Sequence, residues 1–262
     1  MTKLKIASWN INSIRARLPL IIKWLKINKP DILLLQELKA HEDSIPREEI
    51  ENLNYNFITK GQKGYNGVAI LSKFTISDIQ YNLPNYIEDA QSRYIEAWIN
   101  IENKGLRIAS VYAPNGNPVK SEKFLYKLKW LDKFYEHAKY LLEFEELTIF
   151  GGDFNIAPTS LDVADENLLF NDAIYQNEAK KFYKKIINLG YYDAYRSINP
   201  ESSGFTYWDY GQSFKNDIGV RIDHFLMSPY AIDKIDKVFV DKEPRTWKKP
   251  SDHTPVLIEI DI

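Results

Sequence analysis

Carboxylates, carboxamides and one histidine placed just beyond short apolar runs limit most strongly what this chain can become. They fall in five places: Trp9-Asn10-Ile11-Asn12, Gln36-Glu37, Tyr112-Ala113-Pro114-Asn115, Gly152-Asp153-Phe154-Asn155 and Ser251-Asp252-His253. Asp223 adds a carboxylate inside the apolar run Arg221-Ile222-Asp223-His224-Phe225. Any one of these has an ordinary explanation. Asn and Asp at strand ends make turn hydrogen bonds, a lone His is usually a satisfied surface residue, and a Tyr near a Pro usually packs. Together they need a fold in which many strands end at one edge.

The remaining pattern supplies such strands. Leu4 to Trp9, Asp31 to Gln36, Gly67 to Ser72, Leu147 to Phe150 and Ile222 to Met227 read as short strands. The continuous apolar run Ile32 to Leu35 is the pattern of a strand covered on both faces. Arg93 to Ile101 and Leu106 to Tyr112 form a hairpin across Asn103 to Gly105, and Pro255 to Ile262 alternates. Leu18 to Asn28, Glu122 to Phe144 and Ala179 to Leu189 carry apolar residues at helical spacing. No linker or low-complexity stretch divides residues 1–262. One domain with two sheets and helices outside is therefore expected, because both faces of each sheet need cover. A weak internal two-fold is also expected. A strand ending at Asn10, a helix and a strand ending at Glu37 parallel a strand ending at Tyr112, a helix and a strand ending at Asp153.

Composition narrows the chemistry. With 262 residues, 44% hydrophobic and 27% charged, the chain has ordinary globular usage. It has no Cys, which excludes disulfide scaffolds and thiolate metal sites. No apolar run approaches the ~18 residues of a membrane helix, and the N-terminus lacks a secretory pattern, so an intracellular location off the membrane is expected. Net charge is only −2, but the first 30 residues hold seven Lys or Arg and no Asp or Glu. Six Lys fall between Lys120 and Lys139, and Lys242, Arg245, Lys248 and Lys249 crowd the C-terminal approach. Such clusters are usually solvated faces. Around an acidic site they would form a basic rim for a polyanion.

The polar set suits hydrolysis of a phosphodiester. Hard divalent cations take oxygen ligands, and Mg²⁺ uses only one or two carboxylates. Glu37 and Asp252, with the amide oxygens of Asn10 or Asn12, fit that need. Asp153 is the candidate to deprotonate a water, with Asn155 as its companion. His253 could donate to a phosphate oxygen, its charged form favoured by Asp223. No Gly-x-Ser-x-Gly elbow exists to supply an acyl-transfer nucleophile.

Five segments carry a family resemblance: Ser8-Trp9-Asn10-Ile11-Asn12, Leu35-Gln36-Glu37, the Gly61 to Val68 stretch, Gly151 to Pro158, and Ser251-Asp252-His253-Thr254-Pro255. In this order, from about Lys5 to about Ile258, they closely resemble the exonuclease III family of abasic-site DNA repair endonucleases. The Gly-Asp-Phe-Asn and Ser-Asp-His pieces are shared by the wider endonuclease/exonuclease/phosphatase superfamily. The Gln62 to Val68 stretch, Leu161-Asp162-Val163 and Arg221-Ile222-Asp223 are closer to the repair branch.

The resemblance implies an α/β fold, a four-layer α-β-β-α sandwich of two mixed sheets. It implies Mg²⁺, with Mn²⁺ as a substitute, near Glu37, Asn10, Asn12 and Asp252. Asp153 matches the water-activating carboxylate and Asn155 its companion. Tyr112 matches the tyrosine near the phosphate, and His253 with Asp223 the phosphate-binding pair. Arg15, Lys63, Tyr65 and Asn115 match DNA contacts. Tyr207, Trp208, Val220 and Ile222 match the apolar pocket for a flipped abasic sugar. The implied activity is incision of duplex DNA 5′ to abasic sites in base excision repair, with 3′–5′ exonuclease and 3′-phosphatase activities. A cytoplasmic monomer is expected. Asn12 replaces an Asp of some relatives, Val220 replaces a Trp or Leu, and His224 stands where a larger or apolar residue is common. The rivals are a non-specific deoxyribonuclease, an inositol or lipid phosphatase, and a DNA-binding module without catalysis.

Overall fold

A computed structural model describes residues 2–262. Its strands are β1 (Lys3–Asn10), β2 (Ile32–Gln36), β3 (Asn56–Lys60), β4 (Val68–Ser72), β5 (Thr75–Gln80), β6 (Tyr94–Ile101), β7 (Lys104–Tyr112), β8 (Thr148–Asp153), β9 (Tyr192–Asp193), β10 (Asp223–Met227), β11 (Ile235–Val240) and β12 (Val256–Asp261). Its helices are α1 (Ile14–Asn28), α2 (Glu48–Glu51), α3 (Glu122–Leu142), α4 (Asn177–Leu189), α5 (Ala194–Ile198) and α6 (Pro229–Ile232). One sheet runs β11-β12-β1-β2-β4-β3 and the other β5-β6-β7-β8-β10-β9. Both mix parallel and antiparallel pairs.

Apolar burial separates the layers. Leu4, Ile6, Ile32, Leu34 and Ile70 of the first sheet face Ile95, Ile99, Ile108, Ile149 and Phe225 of the second. The outer face of the first sheet is covered by Ile14, Ile21, Trp24 and Leu25 of α1 and Ile50 of α2. The outer face of the second is covered by Trp130, Phe134 and Leu141 of α3 and Phe182 and Ile186 of α4. Phe134 alone meets Phe150 and Phe154 edge-on at centroid distances of 4.9 and 5.7 Å. Each such side chain, once fully buried, stabilises the fold by about 1.5–3 kcal/mol. β2, β4 and β8 are buried along their whole length because both of their faces are covered.

The internal two-fold is present. β1-α1-β2 and β7-α3-β8 are both parallel units, pairing Asn10 with Gln36 and Tyr112 with Asp153. Each unit therefore delivers two adjacent strand ends to the same edge of its sheet. Gly152 allows the second pairing, since a Cβ there would stand 1.9 Å from the Val111 carbonyl oxygen. Beneath that edge the sheets are locked by polar contacts. Gln36 Nε2 donates to Ser8 Oγ at 3.1 Å and to Ser110 Oγ at 2.9 Å, and Ser110 Oγ donates to the Leu35 carbonyl.

Two expectations need correction. The first helix begins at Ile14 rather than Leu18, capped by Ser13, with Pro19 inside it. Four further strands of substantial or minimal length, β3, β5, β9 and β11, escaped the periodicity reading. Among the described residues no helix is long and apolar enough to cross a membrane.

Candidate active site

The strand ends converge on a buried acidic centre. Asp153 closes β8 and is 1% exposed. Its Oδ2 accepts from Asn10 Nδ2 at 3.0 Å, and its Oδ1 from the Asn155 backbone N–H at 2.9 Å. Asn10 Nδ2 also donates to Glu37 Oε1 at 2.8 Å, so one amide bridges both carboxylates. Glu37, Asp153 and His253 each bring a ligand-type atom within 4.8 Å of the other two. Asn12, Glu37 and Asn155 leave their strands in the left-handed region, at φ 46°, 56° and 50°. That conformation is unfavourable for an L-residue such as Glu. It survives because the Glu37 carbonyl accepts from Ser13 N–H and Asn155 is held on several sides.

A second carboxylate lies behind the histidine. His253 Nδ1 donates to Asp223 Oδ2 at 2.8 Å, and Thr206 Oγ1 donates to the same oxygen at 2.6 Å. His253 Nε2 then faces Asp153 Oδ2 at 3.8 Å. Burial alone would lower the imidazole pKa, but the charges of Asp223 and Asp153 raise it to about 10. Asp223 and Asp153 thus favour the charged ring, in which Nε2 is a donor. Burial moves Asp153 the other way from an ordinary carboxylate, up to about 7. Asp223 and Glu37 add to that rise and His253 opposes it. Burial, then the charge of Glu37, keeps the Tyr112 phenol protonated far above its usual range.

The donor set fits a hard cation. Glu37 Oε2 and Asn12 Oδ1 both lie 2.6 Å from the Lys39 ammonium, a cation already gathered by those oxygens. Asn12 Nδ2 extends the group to Asp252 Oδ1 at 3.0 Å. Asn10 departs from its expected part. Its amide oxygen accepts from the Asn12 backbone N–H at 3.1 Å, so its amino group faces the carboxylates. It bridges them rather than offering an oxygen.

Comparison with known proteins decides the family. The Endonuclease/Exonuclease/phosphatase family model matches residues 7–253. The chain belongs to that family. It is 34% identical to exodeoxyribonuclease III of Haemophilus influenzae, over 98% of this chain and 99% of that one. It is similar to the structure of an AP endonuclease from Archaeoglobus fulgidus at TM-score 0.94 and 36% identity, covering 99% of this chain and 100% of the other. A 3′ phosphatase from Neisseria bound to a product DNA hairpin superposes at TM-score 0.95 and 36% identity, with the same coverage. The four-layer α/β fold is thus that of the AP endonucleases, and the chain is a nuclease-type hydrolase by descent.

Within this member of the family, the outer residues divide. Arg15, Lys63, Tyr65 and Asn115 are exposed. The Gly61–Gly67 turn is tied to the metal side of the site, because Lys39 N–H donates to the Asn66 carbonyl and Leu38 N–H to that of Gly67. Tyr207 is half-buried and packs on the His253 ring at 4.9 Å. Trp208 does not join it. Neighbours in an extended segment point to opposite sides, and Trp208 is fully buried against Phe214, its Nε1 donating to Asp217 Oδ1. It supports the 209–219 loop from beneath. Val220 and Ile222 share one side, again by alternation, and pack with Ala157, Val163 and Ile174. Arg221 points away into a buried network with Asp162, Asp193 and His224.

Several side chains here had no local signature. Lys39 lies two residues past Glu37, yet only the left-handed turn brings its ammonium back. Thr206 reaches Asp223 from a different segment. Lys127, within the basic stretch Lys120 to Lys139, is fully buried and takes no part in a basic rim.

Proposed function

We propose that the chain is a divalent-metal-dependent phosphodiesterase of base excision repair, one catalytic domain that incises duplex DNA 5′ to abasic sites and also trims 3′ ends. The observation that carries this reading is the buried pair of Asp153, whose pKa stands near 7, and cationic His253, 3.8 Å apart beside Glu37. A general base works best with a pKa near the operating pH. Asp153 takes the proton of the attacking water. His253, through Nε2, donates to a phosphate oxygen, and the protonated Tyr112 phenol offers a second hydrogen bond. Asn155, fixed through its backbone N–H to Asp153, holds that carboxylate in place. Glu37, Asn12 and Asp252 would hold the cation, Mg²⁺ by preference because the donors are oxygens. When bound, that ion supplies positive charge to the phosphate oxygens. The names of the relatives support DNA as the polyanion, and the reading takes the working form to be a monomer.

One observation favours a second reading, with preference for 3′-end processing. Val220 and Ile222, expected to admit an abasic sugar, are only 7% and 3% exposed and pack against Ile174. A terminal nucleotide needs no extrusion from the stack, which costs a few kcal/mol for an internal one.

Cleavage rates on a duplex with one synthetic abasic site, a duplex ending in 3′-phosphate, an intact duplex and inositol phosphates test both readings. Fast metal-dependent turnover of the first two is expected. Equal cleavage of intact duplex would make the chain a non-specific deoxyribonuclease, inositol phosphate turnover a phosphatase, and metal-supplemented inactivity on all four a binding module.

A further inference from the structure

We propose that Lys127 is a positioning residue, whose buried ammonium sets the spacing between the hydrolytic loop at Asn155, the loop at Asn115 and the segment Ala173–Ile174. Its Nζ donates to the Asn155 carbonyl at 2.6 Å, the Asn115 carbonyl at 3.0 Å and the Ala173 carbonyl at 3.2 Å. All three N–H bonds of the ammonium are thereby used. The three acceptors belong to three separate loops, one before α3, one after β8 and one before α4. All three are backbone carbonyls, so the ammonium is held by peptide dipoles rather than by a carboxylate.

Removing a charge from water is costly unless it is paired. Burial pulls the amine pKa down, the charges of Asp153 and Asp172 oppose that fall, and the three carbonyl acceptors, which only an ammonium can satisfy together, hold it charged. An apolar residue would fill the same volume without that cost, so the ammonium must be valuable for what it holds. Its carbonyl partners are tied to each other and to the site. Asn155 Nδ2 donates to the Ala113 carbonyl at 2.9 Å, and Asn115 Nδ2 donates to Asn155 Oδ1 at 3.2 Å. Ala157 N–H donates to the Ile174 carbonyl at 2.9 Å, and Ala173 N–H to Asn117 Oδ1 at 2.8 Å. Asn155 sits at φ 50° and needs such over-determination to stay there. Two links therefore run from Lys127 to Asp153, and one runs from it to the apolar group around Ile174.

The sequence also makes room for the lysine stem. Gly116, at φ 89°, lies over it, and a Cβ there would stand 2.6 Å from Lys127 Cδ. Gly116→Ala would thus press on the stem without removing its charge, and would also strain its own backbone.

The claim about rate rests on the proposed hydrolytic function; the claim about geometry does not. The experiment compares Lys127→Met, Lys127→Gln and Lys127→Arg with wild type. It measures kcat and KM on abasic and 3′-phosphate duplexes and the side-chain amide NMR signals of Asn115 and Asn155. In Lys127→Met, kcat should fall by about 10²-fold with KM within about threefold, the loss expected of misplaced catalytic groups. The two amide signals should move, and Lys127→Arg should recover most of both. If Lys127→Met does not fold, Lys127→Gln decides, with a fall in kcat at constant KM and moved amide signals. Unmoved signals and a kcat matching wild type in the folded variant would overturn the proposal, as would equal losses in Lys127→Met and Lys127→Arg. Wild type inactive on both DNAs would remove the functional reading alone, and the amide signals would still decide the positioning.

Discussion

Asp223 and His253 are joined at 2.8 Å through Nδ1, which leaves the other imidazole nitrogen aimed at the carboxylate of Asp153. The Asp223 charge raises both pKa values, adding to burial at Asp153 and opposing it at His253, and the two shifts have opposite catalytic meanings. Asp153 must lose its proton to act as a base, so the rate should rise as pH passes about 7. His253 must keep its proton to donate, so the rate should fall as pH approaches about 10. In Asp223→Asn the alkaline limb should shift down toward the ordinary histidine value of ~6.5. Stability follows the same sign. The raised folded pKa contributes stability that is complete below ~6.5 and is lost as pH climbs through about 10. A pH profile of kcat/KM whose alkaline limb stays in place in Asp223→Asn would show that the imidazolium is not the working form.

In the proposed mechanism Glu37 supplies the charge that would hold the cation. Glu37→Gln keeps the shape and the acceptor for Asn10 but loses the charge that now faces Lys39. Most activity should disappear while thermal unfolding changes little, because the side chain lies at the rim of the core. A chelator should silence wild type, and added Mg²⁺ or Mn²⁺ should restore it. Turnover that persists in excess chelator would contradict a metal-dependent mechanism.

Asp153→Asn is nearly isosteric but cannot take a proton. The rate should drop by about 10²–10⁴-fold, the usual contribution of a general base, with affinity for abasic duplex retained. Binding measured by fluorescence anisotropy separates the two effects. A matched loss of binding and rate would reassign Asp153 to substrate binding.

Exposed cations should act on affinity alone. Arg15 and Lys63 are far more open than the hydrolytic set. Replacing either by Ala should flatten the plot of log affinity against log salt by about 0.9, one released counterion. An unchanged slope would mean that the side chain never reaches a phosphate.

How far the molecule could be read from its residues follows from which strands have two covered faces. The eight interior strands, β1, β2, β4, β6, β7, β8, β10 and β12, carry clear apolar runs or alternation. The four that escaped, β3, β5, β9 and β11, are the four sheet edges. Edge strands meet solvent on one side and take polar residues, as in Thr75–Gln80, so their periodicity is weak. The site was readable for a related reason: Asn10, Glu37, Tyr112 and Asp153 end interior strands whose boundaries were clear. Lys39, Lys127 and Thr206 were not readable, because their partners are set by turns and by helix packing. Tyr207 and Trp208 illustrate the limit. Both are aromatic, both adjoin the same loop, and only the facing of an isolated bridge between Tyr207 and Val220 separates a site residue from a buried support.

That difference gives a test of substrate choice. Phosphodiester chemistry alone cannot prefer abasic DNA, since every linkage presents the same phosphate; selection must come from the surface that receives the sugar. Tyr207 packs on His253 and is half-buried, so it flanks the imidazole proposed to bind the phosphate. Tyr207→Ala should lower the ratio of abasic to intact cleavage more than it lowers metal-dependent turnover of a small phosphodiester. Trp208→Ala should instead cost about 3–5 kcal/mol of stability, as loss of a buried aromatic does, and leave that ratio unchanged in the folded fraction. Ile174→Ala carries the argument further. Ile174 closes the group formed with Val163, Val220 and Ile222. Truncating it should open space beside Tyr207 and raise abasic incision relative to removal of a 3′-phosphate. The measurement is the ratio of kcat/KM values on those two duplexes at fixed salt. A ratio that falls or stays constant in Ile174→Ala, with the protein folded, would mean that the packed apolar group does not gate the sugar, and that preference is set on the exposed side, by Tyr65, Asn115 and the 209–219 loop.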